Sequence, residues 1–190
     1  MTGTTLSEYL TPRLWQPMGA EADATWIKTR DGTETGSGNS NAILRDFGRL
    51  GILLANDGSG DRQIVPKEYL FDATDWHRQP DAFTPHKATP YFGYGYQFWL
   101  FPGERRRFAL LGVYGQSIFV DPELKLVLVI TAAARNAASA RSHSLASATR
   151  SGAVSSANTE TGSCSETRLS RRDAARARGF ALRKLSLLRS

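Results

Sequence analysis

Four oxygen-bearing side chains between residues 57 and 68 have the spacing of a calcium-binding loop. Asp57, Ser59, Asp61 and Glu68 occupy positions 1, 3, 5 and 12 of a twelve-residue segment, and calcium loops draw oxygen ligands from these positions. Position 6 of such a loop requires glycine for a sharp turn, and this chain has Arg62 there. We therefore interpret the segment as a polar loop between helices and predict no metal site in it.

Asp75, His77 and His86 are the other side chains that could bind a metal ion. Their surroundings contain neither a helical pair of histidines nor a third nitrogen or sulfur ligand. The single cysteine, Cys164, can form neither an internal disulfide nor a zinc cluster. The sequence predicts loop histidines, no metal site and no cofactor.

Two glycines interrupt the apolar run that begins at Phe108. Gly112 and Gly115 stand where a buried strand would carry side chains. A glycine in a strand marks either a bulge or a place where a ligand approaches the backbone closely. The residues alone leave both interpretations open.

Charge and composition divide the chain near residue 132. Residues 1–132 contain 13 Lys+Arg and 15 Asp+Glu, whereas residues 133–190 contain 11 and 3. The second part is mostly Ala, Ser and Arg, so it buries too little apolar surface to offset the entropy of ordering. We predict a globular domain over 1–132 and a basic tail over 133–190 that is disordered or encoded in a shifted reading frame.

The same composition excludes several classes of partner. No stretch approaches the ~18–20 consecutive apolar residues that a membrane span needs. The N-terminus, MTGTTLSEYL, lacks a basic run followed by an apolar one, so no signal peptide is expected and a cytoplasmic location is predicted. The tail has a single aromatic residue, Phe180, and so lacks interleaved aromatics for base stacking; no specific nucleic-acid partner is predicted.

Apolar periodicity predicts helices first and strands last. This order indicates an α+β fold with an antiparallel sheet of three or more strands. A charged stretch, residues 104–107, is predicted to form a solvated hairpin turn. The predicted helices are Leu6–Leu14, a segment capped by Ser40 or Asn41 that runs to about Asn56, and the segment from Pro66; the predicted strands are Thr25–Thr29, Tyr94–Leu100, Phe108–Gly112, Ser117–Val120 and Leu126–Ile130.

Four segments, in this order and spacing, resemble the β-lactamase-like serine hydrolases. They cover about residues 3–132 and are GTTLSEYLTPRLWQPMGAEADATW, SNAILRDFGRLGILLANDG, QIVPKEYL with YGYGYQFWLFPG, and LLGVYGQSIFVDPELKLVLVI. The resemblance is to class C β-lactamases and penicillin-binding proteins, and most closely to the 6-aminohexanoate-dimer hydrolase and esterase branch. It implies part of a β-lactamase/transpeptidase-like fold.

The resemblance also implies a site. In this family a Lys-Thr-Gly motif lies on the strand that walls the active site, and residues 110–112 fill its place here. The backbone N–H of Val113 would then be an oxyanion donor, and Gly112 would let substrate approach because a Cβ would block it. Tyr114 and Asn41 would line the substrate pocket. Leucine replaces the lysine of the motif at Leu110, which favours esterases and amidases over true β-lactamases.

The family's remaining catalytic motifs are not found. The family uses Ser-x-x-Lys and Tyr-x-Asn to attack a carbonyl and to move protons. No serine of this chain has lysine three positions later, and none of its six tyrosines has asparagine two positions later. The resemblance therefore implies a truncated member in which these motifs lie upstream, with no catalytic residue and no activity of its own.

The predicted family reaction is hydrolysis of a small amide or ester through an acyl-serine intermediate. Two alternatives stay open. The chain could be a non-catalytic interaction module whose basic tail binds an acidic partner. Alternatively, Ser117 or Ser40 could supply a nucleophile, although the sequence places no base beside either. The residues predict no oligomeric state.

Overall fold

The computed structural model describes residues 3–38 and 40–135. Helices come first and an antiparallel sheet follows, which confirms the predicted α+β fold. None of the helices in these two ranges is long and apolar enough to cross a membrane. The elements are α1 (Leu6–Leu10), a π-helical turn (Thr11–Trp15), β1 (Thr25–Trp26), β2 (Ser40–Asn41), α2 (Leu44–Ala55), α3 (Lys67–Thr74), two 3-10 turns (Trp76–Arg78 and Asp81–Phe83), β3 (Gly93–Gly95), β4 (Phe98–Leu100), β5 (Phe108–Leu111), β6 (Ser117–Asp121) and β7 (Leu126–Ile130).

The five strands from β3 to β7 form one sheet in which every neighbour in space is also a neighbour in sequence. All pairs are antiparallel, so short turns suffice to connect them. Along β6, Ser117 lies opposite Leu111 of β5 and opposite Ile130 of β7. A separate two-stranded ladder joins β1 to β2.

Alternate residues of the strands divide the core between the two faces of the sheet. One face packs against α2 and α3, and Gly51 of α2 allows close approach because a Cβ there would lie 2.3 Å from Val127 Cγ1. The other face is aromatic, with Phe92 and Phe101 in an edge-to-face contact of 5.1 Å between ring centroids. The buried residues of the two apolar clusters are Leu54, Ala55, Leu70, Leu100, Phe108, Ile118 and Val120 on the first face, and Phe92, Phe101, Ala109 and Phe119 on the second.

Two predicted helix boundaries were wrong. Ser40 and Asn41 do not cap α2 but form β2, and Ile43 is the N-cap, without a side-chain hydrogen bond. The first α-helix ends at Leu10 and continues as a π-helical turn that contains Pro12. Proline lacks a backbone N–H, so the α-helical bonding pattern loses a donor where the helix changes type.

The predicted strand Tyr94–Leu100 was also wrong, because it is a hairpin. Tyr96 and Gln97 have φ of 44° and 77°, which is the backbone of a two-residue type I′ turn. Gly95 precedes the turn, and a Cβ there would lie 2.7 Å from the carbonyl oxygen of Ala73. Gly95 therefore permits α3 to approach β3.

The predicted solvated turn at residues 104–107 is partly buried. The Arg106 side chain is 11% exposed and pairs with the carboxylate of Asp57. It also donates to Thr74 Oγ1 at 2.8 Å and lies over the ring of Phe71 at 4.3 Å. Arg106 thus joins the start of β5 to α3 and to the loop after α2, whereas Glu104 stays exposed as predicted.

Candidate functional site

The connection from β5 to β6 is a tight turn over residues 112–116, and it holds three of the four residues proposed for the site. Gly112 and Gln116 close it through a backbone hydrogen bond of 2.8 Å, and the N–H of Gly115 donates to the carbonyl of Gly112 at 3.2 Å. Gly115 has a φ of 90°, whereas Val113 and Tyr114 have negative φ. This is a type I turn followed by a left-handed glycine, a common three-residue hairpin.

The backbone donors of this turn are used unequally. Gly112 and Gly115 donate within the turn, and the N–H of Tyr114 donates to Gln116 Oε1 at 3.0 Å. The N–H of Val113 has no hydrogen-bond partner among residues 3–38 and 40–135. Val113 is 55% exposed and Tyr114 is 49% exposed. The turn therefore has one backbone donor, in an exposed residue, that no other described residue uses.

Gln116 is a residue of this turn that the sequence analysis missed. Its side chain lies beside Gly112, where a Cβ would come within 2.3 Å of Gln116 Cδ. The glycine thus makes room for Gln116, and Gln116 in turn fixes the Tyr114 amide. An amide side chain directly after a left-handed glycine was the available signal. Substrate approach at Gly112 stays a prediction.

The fourth proposed residue, Asn41, lies elsewhere in the fold. It is exposed in β2, opposite Thr25 of β1. Within the described ranges, no hydrogen bond joins Asn41 to residues 112–116. The structure therefore places Gly112, Val113 and Tyr114 in one turn. Among the described residues, Asn41 makes no hydrogen bond to that turn. Its place in a substrate pocket stays a prediction.

Neither serine considered as an alternative nucleophile has an evident activating base. Ser117 is 5% exposed at the start of β6, and Ser40 is exposed in β2. In the part of the chain that the structure describes, neither hydroxyl is hydrogen-bonded to a lysine, histidine or tyrosine. A serine nucleophile needs such a base within hydrogen-bond reach.

The possible metal ligands make local contacts instead. The carboxylate of Asp57 pairs with Arg106 and lies 3.5 Å from Lys67 Nζ. His77 Nδ1 lies 3.0 Å from Asp75 Oδ1, and His86 Nδ1 lies 3.0 Å from a backbone carbonyl. Over the described residues, no three of these ligand types lie close enough to hold a metal ion.

A buried carboxylate supports the segment that leads into the small β1–β2 ladder. Asp46, in the first turn of α2, is fully buried and accepts backbone hydrogen bonds from Glu21 and Ala22 at 2.9 and 3.1 Å. Arg49 donates to the same carboxylate at 2.8 Å. Burial opposes ionisation of Asp46, but these hydrogen bonds and the positive charge outweigh it and lower its pKa.

A shallow cleft of about 410 Å³ lies beside β3 and β4. Tyr94 and Trp99 form one wall, with their rings in an edge contact of 5.0 Å between centroids. Lys87 also lines the cleft, but its ammonium pairs with Asp81. No sequence pattern indicated this cleft, because its lining comes from separate segments.

Comparison with known proteins identifies the family. Residues 1–148 match the family model described as Beta-lactamase. The chain belongs to the beta-lactamase family. This membership confirms the resemblance to β-lactamase-like serine hydrolases, and the antiparallel sheet with its preceding helices is the part of that fold seen here.

Two relatives in this family are similar to the chain. The 6-aminohexanoate-dimer hydrolase of Paenarthrobacter ureafaciens is 26% identical over 132 residues, which are 68% of this chain and 34% of that protein. The solved structure of a Bacillus anthracis protein assigned as a 6-aminohexanoate-dimer hydrolase superposes on this chain with a TM-score of 0.63 and is 27% identical in sequence. That match covers 80% of this chain and 40% of the other. The beta-lactamase-family chain thus spans well under half the length of these relatives.

Proposed function

We propose that this beta-lactamase-family chain contributes the oxyanion side of an acyl-transfer site that hydrolyses a small amide or ester. The observation that carries the proposal is the backbone N–H of Val113, just after β5, which has no partner in the described residues although the other donors of the turn have theirs. A fixed, uncommitted donor suits an oxyanion because it needs no reorganisation when negative charge develops. Gly112, Tyr114 and Asn41 would line the substrate pocket around it.

The strand offers no side-chain cation that would select a substrate by its carboxylate. Leu110 stands where a lysine would attract a carboxylate, and Val113 contributes backbone rather than a side-chain charge. The two relatives are named for an amide, the 6-aminohexanoate dimer. We therefore place the substrate among small linear amides or esters, and expect the reaction to proceed through an acyl-serine.

We further propose that these 190 residues are catalytically silent alone. The chain contains no Ser-x-x-Lys and no Tyr-x-Asn, and the acyl-serine route needs both a nucleophile and its base. Activity would require a second segment that supplies these groups. We propose in addition that the chain is a truncated member of the family. A cytoplasmic location is also proposed.

The first experiment offers the purified chain a p-nitrophenyl ester, nitrocefin and 6-aminohexanoate dimer, with a fluorophosphonate probe to label any active serine. We expect neither turnover nor labelling. Turnover that disappears in Ser117→Ala or Ser40→Ala would contradict the proposal and identify the nucleophile. Labelling of any other serine would contradict it equally.

The oxyanion role is tested in a hybrid that joins the unmatched part of the Paenarthrobacter hydrolase to this chain. Val113→Pro removes the N–H at the second position of a type I turn, where proline is favoured, so the turn should survive. We expect kcat to fall about 100- to 1,000-fold, whereas the matched control Val113→Ala keeps the N–H and the rate. Equal rates in the two variants would exclude Val113 as a donor.

A second candidate function follows from the charge of residues 133–190, which lie almost wholly outside the described residues. With 11 basic and 3 acidic side chains, this segment suits an acidic partner whose binding weakens as salt is added. Binding of a polyglutamate peptide by the full chain, lost when residues 136–190 are removed, would support this function. No binding at low salt would exclude it.

A further inference from the structure

The turn between β3 and β4 has a backbone conformation that its residues do not favour. Tyr96 and Gln97 have φ of 44° and 77°, although a type I′ turn is ordinarily made of glycine, asparagine or aspartate. A tyrosine in the left-handed region is an outlier for so bulky a side chain. Strained backbone of this kind persists only where its surroundings fix it, and it is concentrated at ligand-binding and active sites.

The surroundings of this turn fix both of its central residues. The ring of Tyr96 meets the ring of Tyr69, in α3, at 5.9 Å between centroids. The hydroxyl of Tyr94 donates to Gln97 Oε1 at 2.9 Å. Gly95 brings the turn against α3, because a Cβ there would lie 2.7 Å from a carbonyl oxygen of that helix. All of these contacts join described residues, so the conformation of the turn is a property of this part of the chain.

Strand register places the same turn at the end of the sheet that carries the proposed oxyanion donor. Trp99 of β4 lies opposite Ala109 of β5. Tyr96 stands three residues before Trp99, and Gly112 stands three residues after Ala109. Because the strands are antiparallel, continuing this register brings Tyr96 level with Gly112. Neighbouring strands lie about 5 Å apart, so the turn is on the order of 5–10 Å from the N–H of Val113.

The carboxylates that flank Tyr69 in α3 have their charge balanced by an arginine. Arg78 donates to Asp72 at 2.8 Å and to Glu68 at 3.1 Å. These two hydrogen bonds raise the pKa of Arg78, which stays charged. The surface beside the ring of Tyr69 thus offers a charged ligand no carboxylate that lacks a cation. The two tyrosine rings are therefore better suited to an uncharged group than to an ammonium ion.

We propose that Tyr69 and Tyr96 form a subsite for the uncharged acyl chain of the substrate. This inference rests on the proposed function: the substrate carbonyl binds the N–H of Val113, and its methylene groups extend along the sheet end to the two rings. The rings remove apolar surface of the chain from water. The fixed backbone of the turn lowers the entropy lost on binding. The preferred substrates are therefore linear amides or esters whose acyl chain spans roughly 5–10 Å.

The test titrates the full chain with hexanamide and, separately, with acetamide, and follows both by NMR. We expect hexanamide to shift the ring resonances of Tyr69 and Tyr96 and to bind at least about tenfold more tightly than acetamide, because each buried methylene adds roughly fourfold. Tyr96→Asn should abolish most of that difference. Asparagine is favoured in a type I′ turn, so this variant removes the ring and keeps the turn.

Tyr9→Asn is the matched control, since Tyr9 is an exposed tyrosine of α1, outside the sheet, and it should keep the preference for hexanamide. Equal binding of the two amides, the absence of a ring shift, or equal losses in the two variants would overturn the subsite. The Val113 amide, observed in the same titration, separates this inference from the proposed function. Ring shifts without a Val113 shift would support the subsite and contradict the oxyanion donor, whereas a Val113 shift without ring shifts would overturn the subsite alone.

Discussion

The two ends of β5 use polar groups in opposite ways. Before the strand, Arg106 is nearly buried and bound to Asp57 and Thr74, which belong to the loop after α2 and to α3. After the strand, the turn at residues 112–116 is exposed and leaves the N–H of Val113 without a partner in the described residues. The charged end thus supports the fold, and the uncharged end is where we propose the oxyanion donor.

This contrast has a general physical reason. A charge removed from water is costly unless it is paired, so the loop that carries Arg106 must be fixed by its partners and cannot serve a ligand as well. A backbone N–H at the surface of a rigid turn is solvated until a ligand arrives. It can therefore remain uncommitted without destabilising the fold.

The contrast is tested first at Arg106, where the largest loss of stability is expected. Arg106→Met keeps much of the packing volume but removes the guanidinium from Asp57 and Thr74, so that Lys67 at 3.5 Å is the cation left beside Asp57 in the described residues. We expect a loss of about 2–4 kcal/mol in the free energy of unfolding, because the largely buried pair is broken and the remaining cation, Lys67, is solvent-exposed. Urea unfolding followed by tryptophan fluorescence measures it.

The control for that measurement is Arg62→Met. Arg62 lies exposed in the loop between α2 and α3, and surface substitutions of this kind change stability by less than about 0.5 kcal/mol. Similar losses in both variants would mean that arginine charge in general, rather than the partners of Arg106, stabilises the fold. The contrast between the two ends of β5 would then not hold.

Asp46 tests whether buried charge has the same structural role away from β5. Asp46→Asn should cost about 2 kcal/mol at pH 7, since it weakens hydrogen bonds to Glu21, Ala22 and Arg49. The pKa of Asp46 is lower in the folded state than its unfolded value of about 3.9. The folded state therefore binds fewer protons, and the stabilisation is complete above that value and lost as pH falls through the lower folded-state pKa.

Urea unfolding at several pH values checks this expectation. The difference between wild type and Asp46→Asn should be largest near neutral pH and should shrink below about pH 4. Asp23→Asn is the matched control, because Asp23 is an exposed carboxylate in the segment that Asp46 supports, and its replacement should show no such pH dependence. A difference between wild type and Asp46→Asn that stays constant with pH would contradict an ionised Asp46 as the stabilising group.

The sequence predicted the last two strands well. The structure places β6 at Ser117–Asp121, one residue longer than predicted, and β7 at Leu126–Ile130 as predicted. The two strands are continuous apolar runs on either side of a short polar turn. A short turn between two such runs indicates which residues pair across the hairpin. The proposed donor Val113 and its neighbours Gly112 and Tyr114 lie in one turn simply because they are adjacent in the chain.

Features that depend on distant partners could not be predicted in this way. The burial of Arg106 depends on Asp57, 49 residues earlier, and no local pattern indicates that pairing. The turn at Tyr96 and Gln97 has positive φ without glycine or asparagine, so tertiary packing imposes it against local preference. The helix cap at Ser40 or Asn41 was predicted from capping preference, but both residues pair with β1 instead.

The smallest expected effect concerns Gln116, and it tests whether the exposed end of β5 is rigid. Gln116→Leu removes the acceptor for the Tyr114 N–H, now 3.0 Å away, and should cost about 1 kcal/mol. Gln116→Glu retains an acceptor oxygen and serves as the matched control. Amide exchange measured by NMR should become faster at Tyr114 in Gln116→Leu only, whereas exchange at Val113 should stay fast in all three proteins because its N–H has no partner to lose. If the Val113 amide is strongly protected in the wild type, that donor is already committed, and the contrast between the two ends of β5 fails at the position where it matters most.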